Sequence, residues 1–228
     1  MRLLALLTLA AMCGCAGDGG ATRINQSTAG GCSVSSVAAS SVPGTTSITE
    51  FRIPTPRSDT HHVAVGPDGS LWFTEESGSN KVGKVTPSGV FAEYVIPTAD
   101  SGPTGIATGP DGNLWIAELS AHQVAKLTMS GVFTEYRTPS GSGPTDVVAG
   151  SDGNLWFTEF DSRIAKVTTS GFITEYSLPL QKVSADNPFG VPATPDSIAA
   201  GPDGNLWFTE LASYVGRITT SGVITEYP

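Results

Sequence analysis

Charge is scarce in this chain. Asp, Glu, Lys and Arg make up 14% of 228 residues, and only 12 residues are Lys or Arg. With 21 acidic residues the formal net charge is −9, which argues against nucleic acid and anionic lipid surfaces as partners. Cysteine is nearly absent: there are three, at Cys13, Cys15 and Cys32, and none from Ser33 onward. That excludes a disulfide-stapled scaffold and suits an oxidising compartment without relying on disulfides. No apolar run approaches the ~20 residues of a membrane-spanning helix. Gly (27) and Pro (16) are too frequent for a helical bundle, while 39% hydrophobic content is too high for a disordered chain.

The first residues read as an address. Arg2 precedes a short apolar run from Leu3 to Met12, the pattern of a secretory signal over residues 1–14. The run ends at Cys13-Gly14-Cys15-Ala16, where a small residue before a Cys resembles a bacterial lipoprotein cleavage site. Cys15 is then the expected lipidated residue, and the protein an exported lipoprotein of the cell envelope, or a secreted one. The lipid anchor is the one membrane contact expected. Residues 15–46, rich in Gly, Ser, Ala and Thr, read as a flexible tether.

The rest is repetitive. GPDGSLWFTE begins at Gly66, GPDGNLWIAE at Gly109, GSDGNLWFTE at Gly150 and GPDGNLWFTE at Gly201. Trp72, Trp115, Trp156 and Trp207 are spaced by 43, 41 and 51 residues, the last interval lengthened by an insertion at Leu180–Pro195. Each repeat holds four short runs of β-branched and aromatic residues separated by hairpin signals such as Pro-Asp-Gly and Pro-Ser-Gly. In the first they are His62–Val65, Leu71–Glu75, Lys81–Thr86 and Val90–Ile96, here termed strands a to d. Four antiparallel strands per repeat define a β-propeller blade. The expected fold is therefore all-β over residues 47–228, with blades at about 55–97, 98–139, 140–179 and 180–228, and 47–54 as a spare outer strand. Four blades form either a small closed ring or an arc of a larger propeller. An open arc would leave blade faces exposed and prone to self-association.

Connectivity places the start of strand a beside the end of strand b on one face of the propeller. Residues shared by every repeat hold blades together, and site residues are sought where one blade departs from the rest. The shared Trp, Leu and Phe are expected in the core. Glu75, Glu118, Glu159 and Glu210 end strand b in all four blades. They either accept hydrogen bonds from loop amides or form a ring of carboxylates near the axis, suited to Mg²⁺ or Ca²⁺. His61 and His62 are unique to the first blade, and a His among carboxylates can act as a general base near neutral pH. His122, Asp146 and Asp196 are weaker candidates. The insertion, with Asn187 and Phe189, is a candidate for ligand contact. No nucleophilic triad, zinc spacing or phosphate-cradling motif is evident.

The decamer GPDGNLWFTE followed by IGRIT-like, SG and ITEY-like segments resembles the streptogramin B lyases, also called virginiamycin B lyases. The resemblance spans residues 47–228. It implies elimination at the ester of a cyclic depsipeptide antibiotic, without water and with Mg²⁺, and hence a role in antibiotic resistance. It also implies histidines at the start of strand a in two consecutive blades, a Glu two residues before the second, and a contribution from the Glu ending that blade's strand b. Here His61 occupies the His position, Asp59 stands where the family has Glu, and Glu75 ends strand b. The resemblance thus implies His61 and Asp59 as catalytic and Glu75 as a metal contact; His62, unique to the first blade, and Asn187 and Phe189 in the insertion are the expected substrate contacts. Two departures stand out: family members have seven blades and this chain has four. The other blades carry Thr104, Thr145 and Asp196 at the His position, so the second histidine is missing.

Two functions follow as expectations. One is a Mg²⁺-dependent lyase acting on a small cyclic peptide. The other is a non-catalytic, surface-tethered propeller that binds a glycan, peptide or protein through its loop face. A propeller lactonase is a third, weaker reading. Fold alone does not choose between them.

Overall fold

The computed structural model describes residues 48–76, 78–180, 192–211 and 214–227. The expected signal, the tether, Cys15, Asn187 and Phe189 lie outside the described residues. Sixteen strands form four separate sheets, each an antiparallel meander of four. The first blade comprises β1 (Thr60–Val65), β2 (Leu71–Glu75), β3 (Lys81–Val85) and β4 (Phe91–Val95). The second has β5 (Pro103–Thr108), β6 (Leu114–Glu118), β7 (Gln123–Leu127) and β8 (Phe133–Arg137). The third has β9 (Pro144–Ala149), β10 (Leu155–Glu159), β11 (Arg163–Val167) and β12 (Ile173–Ser177). The fourth has β13 (Pro195–Ala200), β14 (Leu206–Glu210), β15 (Tyr214–Ile218) and β16 (Ile224–Tyr227). The first strands of successive blades pack in the order β1, β5, β9, β13, so the axis lies beside them.

Each repeated residue has a physical task. In the first hairpin Gly69 takes φ +73°, where a side chain would strain the backbone. A Cβ on Gly66 would sit 2.3 Å from Trp72 Nε1, so only glycine lets the turn close over the indole. That indole N–H donates to Asp68 Oδ1 at 3.1 Å. The bond recurs as Trp115 to Asp111 (3.2 Å), Trp156 to Asp152 (3.1 Å) and Trp207 to Asp203 (3.1 Å). Each indole stacks on the strand-d tyrosine of its own blade, with centroids 5.3 to 5.7 Å apart. Lys84, Lys126, Lys166 and Arg217 place a cation over the Trp rings.

Blades pack through opposite sheet faces. Trp72 and Val82 of the first meet Ile106, Leu114 and Ile116 of the second. Trp115 and Val124 meet Val147, Leu155 and Phe157, and Trp156 and Ile164 meet Ile198, Leu206 and Phe208. Three copies of one interface therefore hold the arc.

The two end faces are open. Val63 is 64% exposed, whereas its counterparts Ile106, Val147 and Ile198 are 4 to 7% exposed. Leu71 is 46% exposed where Leu114, Leu155 and Leu206 are fully buried. At the far end Val215 is 43% exposed, against none for Val82 and Val124. Trp207, too, is only half-buried. The expectation that repeated core residues are buried therefore holds between blades and fails on these two faces, where no neighbouring blade supplies the contact.

Residues 48–53 carry no strand assignment. They nonetheless occupy the place of an outer strand of a preceding blade. Phe51 lies over Gly89 as Tyr94, Tyr136 and Tyr176 lie over Gly131, Gly171 and Gly222. Thr55 donates its amide and hydroxyl to Glu93, as Thr98 does to Glu135. The side-chain contacts of an outer strand are present, while the backbone ladder to a partner strand is not.

Candidate functional site: an axial cleft beside a histidine bulge

Every first strand carries one extra residue. Thr60 pairs with Glu75 and Val63 with Phe73, and the same shift recurs at Pro103/Ile106, Pro144/Val147 and Pro195/Ile198. Such a bulge bends the strand and re-aims side chains. His61 and His62 are the bulged pair of the first blade, and the His62 N–H donates to the Thr74 hydroxyl at 3.1 Å. The Thr74 hydroxyl donates in turn to the Thr104 carbonyl of the next blade at 2.7 Å, and Thr158 does the same to Asp196 at 3.0 Å. This ties the first bulge to the second and the third to the fourth; the second blade has Ala117 where the others carry the threonine.

The bulges border a cleft of about 470 Å³ on the axis. His61 and His62 line it from the first blade, facing Thr104, Thr145 and Asp196 from the others. The sequence register is confirmed: these three residues hold the position that His61 holds in the first blade. The residue after each second strand completes the lining: Glu76, Leu119, Phe160 and Leu211. These four escaped the sequence reading. The available signal was that this position varies directly after a nearly constant decamer.

His61 is exposed, and its Nδ1 lies 3.1 Å from His62 Nδ1. One ring must donate and the other accept. When His61 carries the Nδ1 proton, its Nε2 is a free proton acceptor. His62 thereby acts on the tautomer of His61. The pair also borders a second groove of about 350 Å³ on the open face, with Phe51, Leu71 and Phe73.

The remaining candidates lie elsewhere. Asp59 has φ +46°, and its carbonyl accepts the Glu76 N–H at 3.2 Å. Asp146 is structural: its Oδ1 accepts the Val147 N–H at 2.8 Å and its Oδ2 the Ile198 N–H at 3.0 Å. His122 sits in an outer loop at φ +56°, with its Nδ1 against the Gly141 carbonyl.

The four repeated glutamates form neither the expected axial ring nor contacts to loop amides. They are buried and face the outer strands of their own blades. A Glu75 carboxylate oxygen lies 2.7 Å from where a Cβ on Gly83 would be. Glu118 accepts a 2.6 Å bond from the Gln123 side chain. Among the described residues no donor reaches either carboxylate oxygen of Glu210. Burial, reinforced by Glu93, lifts the Glu75 carboxyl to about 7. Burial with Glu175 beside it lifts Glu159 to about 8, and Glu118 and Glu210 rise to about 7 for the same primary reason. The physical cause of the misreading is pleat direction. The side chain of the last strand-b residue follows Phe73 onto the sheet face and not towards the axis.

Mg²⁺ requires several oxygen ligands in octahedral array. Among the described residues no three His, Cys, Asp or Glu side chains are grouped to hold a metal ion. With Glu75 turned over Gly83, these residues do not by themselves fit Mg²⁺.

A bulged histidine pair at the axis of a bladed β-arc defines a propeller with a loop-face cleft. Residues 32–228 match the model of the Virginiamycin B lyase family, and the chain belongs to that family. It is similar to the virginiamycin B lyase of Staphylococcus aureus, at 40% identity and a TM-score of 0.72, over 79% of this chain and 59% of that one. A streptogramin B lyase structure matches at 40% identity and a TM-score of 0.71, over 79% of this chain and 58% of that one. A catalytically inactive histidine-to-alanine variant of the S. aureus lyase, with quinupristin, matches at 38% identity and a TM-score of 0.73, over 82% of this chain and 61% of that one. This chain thus spans about three fifths of the lyases it resembles. A search of curated protein sequences found no match.

Proposed function

We propose that the axial cleft performs a streptogramin B lyase-type elimination, opening a cyclic depsipeptide at its ester. The observation that carries this is the placement of His61 by the bulge at the cleft, with its Nδ1 paired to His62. His61 Nε2 takes the proton from the carbon α to a carbonyl. The electron pair left behind forms a C=C bond as the β-carbon–oxygen bond of the ester breaks, and the carboxylate leaves. No water is consumed, so the product has the mass of the substrate. A positioned base of this kind contributes about 10²–10⁴ in rate.

The same proposal takes the protein as exported and anchored through Cys15, which would expose it to an antibiotic outside the cell. Mg²⁺ dependence is part of what family membership suggests, and no step here is routed through it. A second reading, a binding module, is favoured by Thr104, Thr145 and Asp196 standing where the family pattern has another histidine.

The test is incubation of the full chain with quinupristin, with Mg²⁺ or with chelator, beside His61→Ala. A new peak of unchanged mass, lost in His61→Ala, supports elimination at this site. A product heavier by one water overturns the mechanism in favour of hydrolysis. Binding without any product supports the binding module, and equal yields with Mg²⁺ and chelator remove the metal from the proposal.

A further inference from the structure

We infer that Leu119, Phe160 and Leu211 form an apolar wall that sets the specificity of the axial cleft, gripping the hydrophobic side chains of a cyclic peptide while its ester faces His61. The inference rests on the lyase reading and adds the part of the ligand that the cleft recognises.

Three observations carry it. The wall residues occupy one equivalent position, directly after the buried strand-b glutamate, and the first blade alone has a charged residue there, Glu76. That position is fixed by the main chain. The Glu76 amide donates to the Asp59 carbonyl at 3.2 Å, Leu119 to Gly102 at 2.9 Å, Phe160 to Gly143 at 2.9 Å and Leu211 to Thr194 at 3.0 Å. Leu119 is half-buried beside Gly143, while the Phe160 and Leu211 side chains are displayed. Finally, Phe160 is 56% and Leu211 68% exposed, although both are large and apolar.

An isolated exposed Leu needs no explanation, but several lining one cleft form a patch that gains by being covered. The first blade contributes His61, His62 and Glu76 to the same cleft, and the fourth adds Asp196. The cleft is therefore amphipathic, and matches a ligand with an apolar body and a reactive carbonyl at one side. Its volume of about 470 Å³ suits a small molecule.

The test is the double variant Phe160→Ser/Leu211→Ser in the full chain. Because the amide bonds at these positions are main-chain, its melting temperature should match that of the parent. Two probes are titrated: quinupristin by calorimetry, and the neutral dye N-phenyl-1-naphthylamine by fluorescence. The dye also meets the open blade faces, so only the difference between variant and parent counts. The expected result is an affinity loss of about tenfold or more. Affinity unchanged for both probes overturns the wall. If the parent fails to bind quinupristin while the variant still loses the dye, the wall stands and the lyase reading falls. If both proteins bind and convert quinupristin equally well, the lyase reading stands and the wall falls.

Discussion

His61 and His62 face each other through their Nδ1 atoms at 3.1 Å, so the protonation of one ring dictates that of the other. A base whose tautomer is set by a neighbour depends on that neighbour without sharing its chemistry.

His62→Ala should therefore lower turnover by less than His61→Ala, and should alter the pH profile. The His61→Ala loss is expected at about 10²–10⁴-fold. His61 is exposed and His62 half-buried, so neither change should unfold the protein. Single-turnover rates against pH check both expectations, and a His62→Ala profile identical to that of the parent would remove the positioning role.

Stability should fall as pH rises through neutrality. Glu75, Glu118 and Glu210 titrate at about 7 and Glu159 at about 8 in the fold, raised from an ordinary 4.5 by burial first. Their folded state holds protons that the unfolded chain has released. This contribution is fully present below 4.5 and is lost as pH rises through 7 to 8. Asp152 acts in the opposite sense. Burial pushes its carboxyl up, but bonds from Asn154 and Trp156 outweigh that and hold it below its ordinary value, so its contribution is lost in acid. The melting temperature should thus peak at about pH 4, between the ordinary 3.8 of Asp152 and the ordinary 4.5 of the glutamates. Glu159→Gln, which cannot ionise, should flatten part of the decline between its ordinary 4.5 and about 8; a slope equal to the parent's would refute the assignment.

Truncating equivalent tryptophans should have unequal effects. Trp156 is fully buried between two blades, so Trp156→Ala should cost about 3–5 kcal/mol. Trp207 lies half-buried on an open face, and Trp207→Ala should cost clearly less. Urea denaturation of both variants measures the difference.

Thr158→Val should loosen the junction between the third and fourth blades. The Thr158 hydroxyl accepts the Asp146 N–H at 3.1 Å and lies 3.0 Å from the Asp196 carbonyl. Losing it leaves the Asp146 N–H unpaired, at about 1–3 kcal/mol, while the Asp196 carbonyl keeps the Thr145 hydroxyl at 3.0 Å. Hydrogen exchange at Asp146 should accelerate in the variant.

Much of this architecture was legible from periodicity. Glycine before a tryptophan hairpin, strand-length apolar runs and a spacing near 42 residues specify blades, because those turns accept few other residues. The bulge at His61 and His62 was not legible, since an extra residue in a strand leaves no compositional mark. The turn of Glu75 away from the axis and over Gly83 was missed for a related reason. Spacing says that it ends a strand, but the pleat decides which way it points. The wall residues Leu119, Phe160 and Leu211 look like ordinary loop residues until the arc brings their positions to one cleft.

The interface between blades is the same interface three times over, built from a Trp-bearing face and a Leu-bearing face. Each face offers the next repeat the same kind of apolar surface, although the threonine bond that crosses the first and third junctions is missing from the second, where Ala117 stands. Duplication or loss of one whole unit would still leave a Trp-bearing face against a Leu-bearing face at every remaining junction. Blade number can therefore change by gene copying without a new kind of interface, while the axial residues, which differ from blade to blade, make each unit distinct at the cleft.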